Sequence, residues 1–199
     1  MMRVAVIDYG TGNLHSLVKA LEIGGADVWI EQDLNRALDA QAIVLPGVGA
    51  FGAAAAQLSP GAPALHEAIS NGKPCLGICL GMQLLFERSE EGTGSGLSAL
   101  SGGIRRLHGR RVPHMGWNDV EMMDDALFAG MSELLAYYAN SYIAVPADES
   151  DVIAWSRYGR ERFAAAVRRD SVWGVQFHPE KSGRAGLRVL HNFLAQVPA

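Results

Sequence analysis

Short runs that are apolar without interruption, and that do not alternate, constrain this chain most. "RVAVID" at Arg3 to Asp8, "AIVLP" at 42–46 and "PCLGI" at Pro74 to Ile78 carry apolar side chains on both faces of an extended segment. A strand with one wet face alternates; a strand buried on both faces does not. "DVWI" reads as a further buried strand. Between these runs the period changes. From Asn13, residues Leu14, Leu17, Val18 and Leu21 recur at helical spacing until Gly24–Gly25 stops them, and Ala50 to Leu58 and Ala64 to Ser70 read as helices. Buried strands alternating with helices predict a parallel sheet covered on both sides.

After about Gly102 the pattern shifts. "VIAWSRY", "FAAAVRR" and "VWGVQFH" follow one another without helical spacers, which suits an antiparallel extension. A final helix over Gly183 to Gln196 places Leu187, Leu190, Phe193 and Leu194 on one face, with Ser182 positioned to cap it. The expected fold is α/β: a mostly parallel open sheet flanked by helices, with an antiparallel extension in the C-terminal half. The 199 residues contain no repeat, low-complexity tract or linker, so a single domain over residues 1–199 is expected.

Composition narrows the class. Apolar residues at 49% and charged ones at 19% suit a folded domain, and a net charge of −4 argues against a protein that coats nucleic-acid phosphates. "GRR" at Gly109 to Arg111 and "VRRD" at Val167 to Asp170 read as solvated loop or strand-end clusters. No apolar stretch reaches signal-peptide or membrane-spanning length. Two cysteines cannot build a disulfide framework, so a reducing cytoplasm is expected, with no membrane and no nucleic-acid partner.

Those cysteines lie four residues apart in "KPCLGICLGMQLLFE". Cys75 falls inside a strand, where a small buried side chain belongs. Cys79 falls between that strand and a helix over Leu80 to Phe86, with Gly77 and Gly81 two residues to either side. This is the pattern of a nucleophile elbow with cysteine for serine. Such a turn places the sulfur near a helix N-terminus, which favours thiolate, and leaves the Leu80 N–H free to face an oxyanion. Taken alone, the pattern divides evenly between an elbow and a core cysteine in a glycine-rich strand end.

A base shifts that balance. Of six histidines, His66 and His191 fall on predicted helix surfaces, His15 near the first helix start, and His108 and His114 around a basic loop with no zinc spacing. His178 ends the apolar strand "VWGVQFHPE", held extended by Pro179, and Glu180 two residues on can point alongside its imidazole. Cys79, His178 and Glu180 together make a nucleophile, a base and an orienting carboxylate.

"LPGVGAFG" over Leu45 to Gly52 adds a glycine-rich loop after a parallel strand. It lacks the Lys-Ser/Thr of a P-loop. Gly47, Gly49 and Gly52 match the dinucleotide spacing, but Pro46 precedes them and no ribose-binding acid is evident. The alternative is a second oxyanion donor, since loops at the C-terminal edge of an open α/β sheet meet in one crevice.

"PGVGAFG", "GICLGMQLLFE" and "FHPEKS", in this order, resemble the class I, triad-type glutamine amidotransferases. "DYGTGNL", "ERSEEG" and "PHMGWN" at Pro113 to Asn118 further resemble the glutaminase subunits of imidazole glycerol phosphate synthases, over essentially the whole chain. The resemblance implies that Cys79 attacks the side-chain amide of glutamine, that His178 shuttles the proton and that Glu180 orients it. It assigns the oxyanion to the N–H groups of Leu80 and of the Val48–Gly49 stretch, and substrate contacts to Gly47, Gln83, Asn140, Ser141 and Tyr142. Asn140 departs from the pattern, which has histidine there, and Ser101 stands in place of a proline.

The resemblance also implies a partner, a (β/α)₈ cyclase subunit that takes the ammonia in a heterodimer, and neither cofactor nor metal. Asn13, Met115, Trp117 and Lys181 are implied at that interface, although Trp117 reads equally as a half-buried loop aromatic. A glycine-flanked peptide near Val48 is implied as an element switched by the partner's ligand. The competing readings are a glutaminase for anthranilate, aminodeoxychorismate or pyridoxal phosphate synthesis, a stand-alone γ-glutamyl cysteine hydrolase, a binding subunit with an idle triad, and a flavodoxin-like nucleotide binder.

Overall fold

The structure is a computed structural model, and it describes residues 2–10, 14–109 and 111–198. Its elements in chain order are β1 (Met2–Ile7), α1 (His15–Ile23), β2 (Ala26–Glu31), α2 (Leu34–Ala37), β3 (Ala42–Leu45), α3 (Phe51–Leu58), α4 (Ala62–Ser70), β4 (Cys75–Ile78) and α5 (Leu80–Leu84). There follow β5 (Arg88–Ser89), β6 (Gly102–Arg106), β7 (His114–Asp119), β8 (Glu121–Met122), β9 (Leu135–Asn140), β10 (Tyr142–Pro146), β11 (Val152–Tyr158), β12 (Glu161–Arg169), β13 (Val172–Val175) and α6 (Gly183–Ala195).

Eight strands form the main sheet in the order β2-β1-β3-β4-β13-β12-β11-β8. The first five run parallel and the last three turn antiparallel. Uninterrupted apolar runs produce this directly: in β1, Val4 and Val6 enter the core on one face while Ala5 and Ile7 enter the core on the other. Two smaller sheets, β10-β6-β5 and the β7–β9 ribbon, complete the strands.

Several expectations are corrected here. β2 is an edge strand with Ile30 exposed, not a fully buried one. A short helix not read from the sequence, α2, is capped by Asp33, whose side chain accepts the Asn35 N–H. Ser182 occupies the N-cap position of α6 without capping it, because its hydroxyl is engaged elsewhere. Arg168 and Arg169 are not solvated cluster residues; they pair with the largely buried carboxylates of Asp125 and Asp151. His114 is buried between the stacked rings of Tyr138 and Tyr158.

The most consequential difference concerns β13. It is antiparallel to β12 but parallel to β4, in a register that sets Val175 opposite Ile78. The residues that follow each strand therefore emerge side by side at the C-terminal edge of the sheet.

Candidate active site

Cys79 leaves β4 with φ 47° and ψ −101°, a left-handed backbone that costs a side-chain-bearing residue roughly 1–3 kcal/mol. Two hydrogen bonds hold it: its N–H donates to the Val175 carbonyl at 2.7 Å, and its own carbonyl accepts the Gln83 N–H at 3.1 Å. The flanking glycines let α5 sit directly on the sheet. A Cβ on Gly77 would come within 2.5 Å of the Gly81 carbonyl oxygen, and one on Gly81 would collide with the Leu45 carbonyl. Leu80 opens α5, where the first N–H groups of a helix have no intrahelical acceptor. Past Leu84 the chain continues in tighter turns, with the Phe86 N–H on the Gln83 carbonyl.

His178 follows β13 with an extended backbone, and the chain then folds into a 3-10 turn over Pro179–Lys181. That turn brings Glu180 Oε1 to 2.8 Å from His178 Nδ1. The backbone of His178 is fixed at both ends: its peptide N–H donates to the Tyr137 carbonyl at 2.8 Å, and its carbonyl accepts the Ser182 hydroxyl at 2.6 Å. Burial alone would depress the His178 pKa, but hydrogen bonds and charge from Cys79 and Glu180 outweigh it and raise the value to about 9. Cys75 lies in the strand, fully buried, and desolvation pushes its thiol up to about 12.

Cys79 and His178 open onto a cleft of about 310 Å³ that also brings together Gly47, Val48, Gly49, Leu80, Gln83, Asn140, Ser141, Tyr142 and Lys181. Gly47 lies so close to the imidazole that a Cβ there would stand 2.9 Å from His178 Cε1. Gly49 has φ +130°, open to glycine and to few others. Gln83 Nε2 and Asn140 Nδ2 both donate to the Tyr142 carbonyl, at 3.2 and 3.0 Å. Asn140 Oδ1, also buried, has no partner among the described residues.

Of the expected interface residues, Lys181 stands at the cleft, while Met115 and Trp117 lie on the outer face of the β7–β9 ribbon, 65% and 55% exposed. Asn13 lies outside the described residues. Three further residues belong to the site and were not anticipated. Glu91 reaches the cleft and accepts the Phe51 N–H at 2.9 Å, tying the "ERSEEG" segment to the start of α3. Gln176 donates from Nε2 to Cys79 Sγ at 3.4 Å. Ser182 braces His178 as described above. A larger cavity of about 630 Å³ lies between α3, α4 and residues 93–98, lined by small side chains and His66. Its lining includes neither a cysteine nor a histidine–carboxylate pair, so size does not mark the chemistry.

A cysteine in a strained turn, a histidine held by a carboxylate and N–H groups around one cleft are the parts an acyl transfer from an amide requires. The chain belongs to the class-I glutamine amidotransferase family: the family model described as "Glutamine amidotransferase class-I" matches residues 5–197. Within it, the chain is 43% identical to the imidazole glycerol phosphate synthase subunit HisH of Synechococcus elongatus, covering 99% of this chain and 94% of that protein. It is 46% identical to the subunit of the same name from Halobacterium salinarum, over 96% and 92% of the two chains. A solved structure titled as a glutamine amidotransferase shares the fold with a TM-score of 0.78 at 20% identity, covering 96% of this chain and 97% of the other.

Proposed function

We propose that this chain is the glutaminase subunit of an imidazole glycerol phosphate synthase, supplying ammonia for histidine biosynthesis. The observation that carries the chemistry is the convergence of Cys79, His178 and the Gly47–Gly49 loop on one cleft, with Glu180 behind the imidazole.

Cys79 attacks as the thiolate beside a His178 imidazolium, the form of the histidine that its raised pKa favours at neutral pH. Sγ bonds to the side-chain carbon of glutamine, and the developing oxyanion is held by the N–H of Leu80 and by a peptide N–H of Val48–Gly49. His178 gives its proton to the amide nitrogen, the C–N bond breaks and ammonia leaves. Neutral His178 then takes a proton from water as the oxygen adds to the thioester. The C–S bond breaks, glutamate departs and the thiolate–imidazolium pair is restored. Gly47, Gln83, Asn140, Ser141 and Tyr142 hold the substrate; Asn140 Oδ1 is free to accept, and Glu91 offers a carboxylate suited to an α-ammonium group.

Ammonia released into bulk water is protonated and lost, so a partner must cover the cleft. The outer face of the β7–β9 ribbon supports its docking site. Met115, Trp117 and Leu135 are all at least half exposed there, and Ala139 on the same face lines the cleft. A large exposed aromatic beside a reactive cleft is suited to anchoring an interface. The partner is a (β/α)₈ cyclase subunit forming a heterodimer, with Lys181 at the contact. Both cysteines are free thiols, which suits a reducing cytoplasm, and no described helix is long and apolar enough to cross a membrane.

Glutamate release from glutamine tests this, measured with the chain alone and with a cyclase subunit plus its phosphoribulosyl ligand. Weak turnover alone, strong turnover in the complex and none in Cys79→Ala is the expected result. Equal turnover with and without the partner would instead identify a stand-alone hydrolase.

A further inference from the structure

Gln176 is fully buried, and its side-chain amide meets one polar partner among the described residues, the sulfur of Cys79, at 3.4 Å from Nε2. Its Oε1 is buried without a partner. Packing does not account for such a side chain, because an apolar residue of similar length would fill the space and leave no polar atom unpaired. Gln176 is also held in place. Its own N–H donates to the Ala165 carbonyl at 2.8 Å, while Val175 before it receives the Cys79 N–H at 2.7 Å. Gln176 and His178 both follow β13 directly, on the bend that carries the chain past Cys79.

We propose that Gln176 is a catalytic residue: its side-chain N–H donates to the Cys79 thiolate, stabilising the sulfur whenever it carries charge. The inference rests on the glutaminase reading and deepens it. Turning the amide over would set an oxygen lone pair against an anionic sulfur, so the N–H orientation is the one compatible with a nucleophilic thiolate. The sulfur is charged when it attacks, neutral in the thioester, and charged again as the C–S bond breaks. A fixed N–H donor therefore favours the attacking thiolate and the departure of sulfur during thioester hydrolysis. Gln176 does not line the glutamine cleft, so it has no direct part in substrate binding.

The test is the pH dependence of Cys79 alkylation by iodoacetamide in the intact chain, wild type against Gln176→Met and Gln176→Leu. Cys75 is sealed in the strand, so the labelling reports Cys79. The expected result is a midpoint shifted upward by about one pH unit in both variants, with thermal stability retained. In complex with the cyclase subunit, kcat for glutamate release should fall about tenfold while KM changes less than about twofold. Alkylation profiles that coincide with wild type would overturn the proposal. This readout needs neither glutamine nor the partner, so it separates failure of the Gln176 role from failure of the functional reading. If both variants misfold, the wild-type Gln176 side-chain NH₂ resonances decide: they should titrate together with Cys79, and resonances indifferent to that titration overturn the assignment.

Discussion

The backbone N–H of His178 donates to the carbonyl of Tyr137 at 2.8 Å, and Tyr137 packs its ring edge-on against Trp117. The exposed ribbon proposed to receive the partner is thereby one residue from the active-site histidine. A subunit seated on Trp117 bears on the strand that fixes His178. Trp117→Ala should weaken cyclase binding by roughly 30-fold or more, the scale of an interface hot spot, and leave the melting temperature of the free chain nearly unchanged. Calorimetric titration and thermal melts measure the two quantities; unchanged affinity would remove the ribbon from the interface.

Ser182 connects the same two residues, donating to the His178 carbonyl at 2.6 Å and accepting the Tyr137 N–H at 2.9 Å. Ser182→Ala leaves the part-buried Tyr137 N–H without this acceptor and the His178 carbonyl with the Lys181 N–H alone, at a cost of about 1–3 kcal/mol. Because the loss falls on the peptide that holds the imidazole, turnover should drop about tenfold with KM little changed. Steady-state kinetics of the complex, alongside urea denaturation, would show whether activity falls further than stability explains.

Gly81 packs against the Leu45 carbonyl with no space for a methyl group. Gly81→Ala should therefore cost on the order of 4 kcal/mol, since α5 must lift off the sheet or β3 must shift. Circular dichroism melts of Gly81→Ala against Gly130→Ala provide the comparison. Gly130 has open space around its would-be Cβ but φ +71°, so its cost is backbone strain alone.

His178 is raised from 6.5 to about 9 on folding. Its charged form is favoured in the folded state, so its contribution to stability is fully present below the unfolded pKa and is lost as pH rises toward 9. Melting temperature should decline between neutral pH and about 9.5 in the wild type, and decline less in His178→Gln. Parallel slopes in the two proteins would show that the imidazolium is not favoured.

His114 has the opposite sign. Burial between Tyr138 and Tyr158 lowers its pKa, so the folded state holds it neutral and stability is lost as pH falls below 6.5. His114→Phe keeps the stacking and removes the titration. Its melting temperature should fall less than that of the wild type on going from pH 7.5 to pH 5, and equal losses would assign the acid sensitivity elsewhere.

What was legible in the sequence was whatever local pattern encodes. Gly77 and Gly81 mark the elbow because no other residue fits against Gly81 and Leu45, and the apolar runs mark strands buried on two faces. Strand direction was less accessible. "VWGVQFH" sits in a stretch of antiparallel pairings, and only its long-range register with β4 reveals it as the parallel neighbour. Gln176 escaped notice for the same reason: its contact with Cys79 spans 97 residues and leaves no local periodicity. Glu91 read as one acid among several in "ERSEEG" until the fold turned it toward the cleft. His114 read as a loop histidine because nothing in a single segment shows two tyrosines closing over it.

The position of β13 bears on how such an enzyme comes into being on the ribosome. The nucleophile is synthesised early, in β4, while its base arrives with β13, inserted between β4 and the antiparallel strands. An emerging chain can complete β1 to β4 and still have no general base, because the missing neighbour is the last of the described strands to be made. Glutamine is therefore safe from a half-built molecule: hydrolytic competence arrives with the closing strand of the sheet.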